Sequence, residues 1–456
     1  MCKALEADEA KEADEAMVLI IFFLSFSFLA WRYLPWMTAF TIFLLPLYQV
    51  RFPVFGLPTN LLEGMVIVLL LIWVGRQGRR DHTSPPLAKG RSRFSPPYQG
   101  GERGGLYGMV RWPIVLLLIA ATLSALISPT QLQARIDWRV YFIEPTLFFF
   151  MMRDLVCEEK NRRLFLLAAA GLLGWVGVLT IVQKFTGFLV PPYWESIGRM
   201  TGPYSYPNAV GLLVSALAPF VVLRSWIVDR GSWLFWWCWA GGLAGIVAVV
   251  LAQSKGAMLG LAAAAVVTGL YYIRKQWKIW LPILLIFLVV LGFRIQDSGF
   301  FAPPRPHIFG QEQNVGESFA IRKIIWSETW PMLKDHWFFG AGLAGYRQAM
   351  VPYHQADYTE IFMYPHNFLL NIWSELGLLG LLTVGWFVIV ILNLFQDPHK
   401  QKELDPGSEP GMTQFRNNLT FLVVLGALMT HGLVDVPYFK NDLALLFWFV
   451  LAFVVW

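Results

Sequence analysis

Residues 233–273 read WLFWWCWAGGLAGIVAVVLAQSKGAMLGLAAAAVVTGLYYI, two apolar runs joined by the short turn QSKG, with Lys255 as their only charge. A hydrocarbon core about 30 Å thick needs roughly 20 apolar residues per helical crossing, and 233–252 and 256–273 supply that twice in succession. The stretch reads as a transmembrane hairpin, and it sets the class of the whole chain.

Outward from it the pattern repeats. Apolar segments fall at 17–31, 35–50, 58–75, 112–128, 139–152, 164–184 and 207–227 before the hairpin, and at 279–295, 377–395, 418–434 and 441–456 after it. Of these, 17–31 and 139–152 are short for a crossing and are either re-entrant or extended by their flanks. The chain is 56% hydrophobic and 14% charged, against about 25% charged for soluble domains. The expected architecture is an all-α integral membrane protein of about 12–13 transmembrane helices with a large extracytoplasmic loop bearing amphipathic helices. The 21 Trp and 15 Tyr suit helix ends anchored at membrane interfaces.

The regions divide as follows. Residues 1–16 form an acidic, Ala-rich tail without the basic start of a secretory signal, expected to be disordered or weakly helical. Transmembrane helices occupy 17–75, and 76–111 is a disordered linker with the near-repeat SPPLAKGRSRF and SPPYQGGERGG, too rich in Pro, Gly and Arg to bury a core. Further helices fill 112–295, the large loop runs 296–365, and 366–456 holds the last helices. The net charge of +6 is spread between apolar segments, which speaks against a nucleic-acid face and for topology signals. Most of those Lys and Arg residues lie in 76–111, 153–163, 224–230, 274–278 and 396–416. By the positive-inside rule these are cytoplasmic, as is the C-terminus, and 185–206, 253–255, 296–365 and 435–440 converge on the outer face. Cys2, Cys157 and Cys238 have no paired spacing, so neither a disulfide framework nor a zinc site is expected.

Candidate chemistry concentrates on those outer loops. Tyr364-Pro365-His366-Asn367 leads into the apolar stretch FLLNIWSELGLLGLL. Pro365 suits the first turn of a helix, which puts His366 at an N-terminus whose free N–H groups favour a nearby anion and a neutral imidazole. Such a histidine is a general-base candidate. An interfacial histidine followed by a helix-packing stripe (Asn367, Asn371, Glu375) fits the spacing equally. Arg199, in GRMTGPYSYPN, and Lys255 either grip a phosphate or snorkel to headgroups. In ESFAIRKIIWSETW the apolar residues Phe319, Ile321, Ile324, Ile325 and Trp326 suggest an amphipathic helix on the membrane surface, from which Arg322 either reaches the site or meets solvent. Asp435 either orients His366 or ends a helix. Gly340-x-Gly342-x-x-Gly345 has no preceding strand, so turn geometry explains it better than dinucleotide binding. The histidines at 307, 336, 354, 366 and 431 show no metal-ligand spacing.

In order, these pieces resemble the O-antigen ligase and polymerase superfamily of bacterial inner-membrane glycosyltransferases. His366-Asn367, Gly377 and Gly380 satisfy the ligase pattern of His, then Asn, Ser or Gln, nine free residues, Gly, two more, and Gly, Thr or Tyr. RMTGPYSYPNAVG, QSKGAMLGL and WPMLKDHWFFGAGLAGY support it. The resemblance spans about 195–440. It implies a metal-independent, inverting transfer of a glycan from undecaprenyl-pyrophosphate to an acceptor hydroxyl, with no cofactor, at the periplasmic face. On that reading His366, Arg199 and Lys255 are catalytic, and Arg322, Asn367, Asn208 and Asp435 bind substrate. Family members carry Arg where this chain has Lys255, so the planar two-pronged grip is lost while the charge is kept. The partners implied are the lipid-linked glycan, a lipid or glycan acceptor and membrane lipids. A polymerase of the same superfamily, a lipid-linked sugar transporter and an inactive scaffold remain alternatives.

Overall fold

The computed structural model describes residues 2–54, 57–83, 104–228, 230–270, 317–355, 360–396 and 409–455. Most of the 76–111 linker, the apolar segment 279–295 and the start of the large loop lie outside the described residues. In chain order the helices are α1 (Cys2–Arg32), α2 (Leu34–Phe43), α3 (Leu61–Thr83), α4 (Gly104–Ile127), α5 (Gln131–Trp138), α6 (Glu144–Leu155), α7 (Glu159–Thr186), α8 (Pro192–Ser196), α9 (Pro207–Arg224) and α10 (Trp233–Ala252). They continue as α11 (Lys255–Leu270), α12 (Glu317–Asp335), α13 (Tyr346–Ala349), α14 (Phe368–Gln396), α15 (Glu409–Gly432) and α16 (Asn441–Val455). Every apolar segment read from the sequence lies wholly or mostly on a helix, except 279–295. The protein is an all-α membrane protein.

Three local features add to the sequence reading. A short antiparallel hairpin, β1 (Arg51–Val54) with β2 (Leu57–Asn60), follows α2 and sets Pro53 opposite Pro58. Segment 139–152 is extended by its flanks: α5 continues through one π turn, Arg139–Ile143, into α6. Finally, α14 begins at Phe368 rather than 377, so the Asn371 and Glu375 stripe lies inside the membrane helix, buried.

Among the described residues, five helices are long and apolar enough to cross a membrane: Val110–Ile127, Glu159–Thr186, Pro207–Arg224, Trp233–Ala252 and Phe368–Val390. Among them α9 is 83% buried while the windows of α4 and α10 are 44% buried, so α9 is the hub and the others turn one side to lipid. The hub packs on α16 through Phe220, Phe449 and Phe453, which are fully buried and meet edge to face. Close approach of α7 and α10 depends on small residues, because a Cβ on Gly241 would sit 2.5 Å from the Ala170 carbonyl oxygen. Small residues let membrane helices bring their backbones together.

The connecting segments segregate to two ends. At one end Gln49 Nε2 donates to Pro203 O (2.6 Å), Thr130 Oγ1 to Ala344 O (3.1 Å), Tyr204 OH to Asp442 Oδ2 (3.0 Å) and Tyr438 OH to Tyr141 O (2.7 Å). At the other end Trp73 Nε1 and Gln77 Nε2 both donate to Asp154 Oδ2 (3.1 and 2.8 Å). Among the described residues, the first group joins loops of the set poorer in Lys and Arg, and the second joins α3 to the Lys- and Arg-rich segment 153–163.

Candidate functional site

Arg199 follows α8 in a turn whose two glycines, Gly198 and Gly202, have φ of +69° and +57°, backbone angles that glycine adopts without steric cost. Its guanidinium lies against the C-terminal end of α10. Nε donates to Ala252 O at 3.0 Å, and Nη2 to Asn208 Oδ1 at 2.9 Å and to Gln253 O at 3.5 Å. The Trp194 ring lies 5.3 Å from the guanidinium carbon. Unpaired carbonyls at a helix C-terminus attract a cation, so α10 holds Arg199 in place, and Nη1 makes no hydrogen bond among the described residues. Asn208, expected to contact substrate, is committed to Arg199. Burial, with the charge of Arg322 nearby, lowers Arg199 to about 10.

Gln253 ends α10 in the left-handed region (φ +52°), and Lys255 opens α11 two residues later. Lys255 is within electrostatic reach of Arg199 and Arg322. Arg322 stands on α12, which is tied to the His366 segment one turn further on, where Trp326 Nε1 donates to Pro365 O at 2.9 Å. Burial lowers the Arg322 pKa, opposed by the Asp435 carboxylate. The three expected cations thus gather at one end of the bundle.

His366 has φ +48°, uncommon outside glycine, although histidine is among the residues that adopt it more often than most. The chain before α14 turns there, and Asn367 caps the helix: its Oδ1 accepts from Leu370 N–H at 3.1 Å, while Nδ2 donates to Leu433 O at 3.0 Å. Pro365 therefore precedes the cap and is not in the first helical turn, because the capping side chain starts the helix two residues later. Both polar ends of Asn367, another expected substrate contact, are used in this junction.

The imidazole is held by the rings of Phe362 and Tyr364, 5.4 and 4.7 Å away between centroids. Its Nδ1 lies 3.5 Å from Asp435 Oδ1, and the side chain retains 21% exposure while that of Asp435 retains 4%. Nδ1 is itself buried, so the exposure belongs to the rest of the ring. Nε2 makes no hydrogen bond among the described residues. Burial on its own would raise Asp435; contact with His366, together with Arg322 and His431, outweighs it and holds the carboxyl at about 2. Asp435 lies in the loop between α15 and α16, where its Oδ1 also accepts from Val436 N–H at 2.9 Å.

All seven sequence-derived residues therefore belong to one connected region. His366 pairs with Asp435, Asp435 senses Arg322, and Arg322 senses Arg199, which Asn208 fixes. Tyr364, Phe362, Trp194 and His431 were not singled out. His431 precedes Asp435 by four residues, the spacing of one helical turn, and that was the available signal. Its Nδ1 lies 3.0 Å from Ser215 Oγ on α9.

Residues 240–385 match the family model for O-antigen ligase. The match covers about a third of the chain and makes that stretch similar to the O-antigen ligase superfamily. The matched stretch contains Lys255, Arg322, His366 and Asn367; Arg199, Asn208 and Asp435 flank it and join it in space. Comparison with curated proteins gave no match.

Proposed function

We propose that this membrane protein is a member of the O-antigen ligase superfamily, a glycosyltransferase that moves a glycan from undecaprenyl-pyrophosphate to an acceptor hydroxyl at the periplasmic face of a bacterial inner membrane. The observation that carries the proposal is the meeting of a carboxylate-paired histidine with three cations at one end of the bundle. With Asp435 Oδ1 3.5 Å from Nδ1, a proton on Nδ1 is the one the carboxylate favours, and Nε2 is then the proton acceptor. As the acceptor oxygen bonds to the anomeric carbon, its proton passes to His366 Nε2. The bond from that carbon to the phosphate oxygen breaks, and pyrophosphate leaves with the electron pair. Negative charge grows on the leaving group, and cations already in position stabilise it without reorganisation. Arg199, Lys255 and Arg322 take that role, every part of the scheme is assigned to a side chain without a metal, and a single displacement inverts the anomeric centre.

An apolar cavity lined by Phe368, Ile372, Phe421, Pro437 and Phe447 begins two residues past His366 and Asp435. It supports a substrate with a hydrocarbon chain. A polymerase shares the donor and differs in its acceptor, another lipid-linked repeat rather than a lipid core. The test is the purified protein in nanodiscs with a glycan-loaded undecaprenyl-pyrophosphate and each acceptor in turn. Glycan on the lipid core supports the ligase, and glycan on the lipid-linked repeat supports the polymerase. Movement of intact donor across the bilayer without bond cleavage overturns both in favour of transport.

A further inference from the structure

The segment between α12 and α13 belongs by sequence to the large loop, yet it does not stay above the membrane helices. Gly377 breaks α14 with φ +66° and ψ −165°. In an unbroken helix Leu378 N–H would bond to the Ser374 carbonyl. Instead Ser374 O accepts from Ala341 N–H at 2.6 Å, and Leu378 N–H donates to Phe338 O at 2.9 Å. Trp373 Nε1 adds a bond to Trp337 O at 2.7 Å. The loop backbone completes the hydrogen-bond ladder that the break leaves open.

Two glycines make the approach possible. A Cβ on Gly340 would lie 2.5 Å from Ser374 O, and one on Gly377 would lie 2.6 Å from the Phe339 carbonyl carbon. On the far side Ser128 Oγ donates to Leu343 O at 2.6 Å, so the segment is wedged between α4 and α14. Irregular backbone at membrane depth is tolerated when protein satisfies its polar groups, and here it does. Trp373 to Leu378 lie five to ten residues into α14, about 8–15 Å below its start at ~1.5 Å per residue.

The outward edge of the wedge is aromatic and uncovered. Trp337, Phe338 and Phe339 are 55%, 50% and 56% exposed. The flanking spans also expose apolar side chains, Leu123 and Leu126 on α4 and Leu382 on α14. We infer that the Trp337-Phe338-Phe339 edge is seated in the outer leaflet of the bilayer and is covered by lipid. Trp337 suits the boundary between headgroups and acyl chains, and the Phe338 and Phe339 rings suit the hydrocarbon below it. The wedge re-enters the membrane from the loop and fixes the height of α12, hence of Arg322, above the bilayer. This inference does not depend on the transfer reaction.

The test uses full-length protein with its native cysteines replaced by Ala and single cysteines introduced as Phe338→Cys, Trp337→Cys or Phe339→Cys, with Gln348→Cys on the exposed part of α13 as a water-facing reference. Each carries a fluorescent label and is reconstituted in nanodiscs. The expected result is loss of most fluorescence at 337–339 when the lipids carry a nitroxide on the acyl chain, with little effect of iodide, and the reverse at Gln348→Cys. Iodide quenching at 337–339 equal to that at the reference site overturns the inference, because the edge then faces water. Protection from both quenchers overturns it too, because protein rather than lipid then covers the edge. Three adjacent label sites keep the test decisive if one variant fails to fold.

Discussion

Asp435 Oδ1 lies 3.5 Å from the buried Nδ1 of His366, although the two residues sit on opposite sides of two membrane helices in the sequence. The pairing gives the ring a defined edge, with one nitrogen against a carboxylate and the other directed away from it. Asp435→Asn keeps the shape and removes the charge. We expect it to lower the transfer rate by about 10²–10⁴-fold, the range general-base catalysis supplies, with a lower melting temperature at neutral pH because the stabilising charge is gone. A steady-state rate comparison with matched unfolding curves checks this.

The acid side follows from the same carboxyl. Its folded value, about 2, is below the ordinary 3.8, so its contribution to stability is full above the ordinary value and is lost as pH falls through the folded value. Stability measured from pH 7 to pH 2 should therefore show a loss below pH ~4 in the parent that is smaller in Asp435→Asn. Equal loss in both would show that another group is responsible.

Lys255 shares its surroundings with Arg199 and Arg322, and an ammonium is a point charge where a guanidinium offers a planar fork. Lys255→Met should lower turnover about tenfold or more, since removing one donor from preorganised charge stabilisation costs at least that much. Lys255→Arg should retain activity. Inorganic pyrophosphate should raise the melting temperature of the parent more than that of Lys255→Met, which differential scanning fluorimetry reads directly.

Gly256 and His431 are opposed across the junction of α11 with α15. A Cβ on residue 256 would lie 2.6 Å from the His431 ring, whose other side meets Ser215. Gly256→Ala should therefore impair folding yield and activity. In combination with His431→Ala it should be less damaging than the sum of the two single changes, because removing the ring makes the space. A double-mutant cycle measures the coupling, expected at about 0.5–3 kcal/mol for residues in contact.

Gly377 and Gly385 provide a contrast within one helix. Alanine at 377 meets a positive φ and the Phe339 backbone, whereas at 385 nothing lies within 4 Å. Gly377→Ala should destabilise the protein by about 1–3 kcal/mol or more, and Gly385→Ala should be neutral or stabilising by up to about 1 kcal/mol. Thermal unfolding in one detergent distinguishes them.

Hydrophobic length made the helices legible, and alternating charge grouped the loops, because both are properties of consecutive residues. The site residues were legible one at a time, from Arg199 in its turn to Asp435 before the last helix. Their partners were not. Asn208 and Asn367 carry the polar groups expected of substrate contacts, but spacing cannot show that Arg199 and the α14 backbone lie close enough to use them. The wedge at 337–345 was read as turn glycines. Its real reason, completing the broken ladder of α14, depends on backbone more than thirty residues away. The left-handed turn at His366 was hidden likewise, because Pro365 suits a helix start as well as the turn before one.

The central claim is that His366 takes the acceptor proton while fixed cations receive the pyrophosphate. Its most direct measurement is the rate of undecaprenyl-pyrophosphate release from a glycan-loaded donor in nanodiscs, with acceptor present, for parent protein and a folded His366→Ala variant. The account predicts release by the parent and a fall of about 10²–10⁴-fold in the variant, with donor binding retained. An undiminished rate in His366→Ala would contradict it.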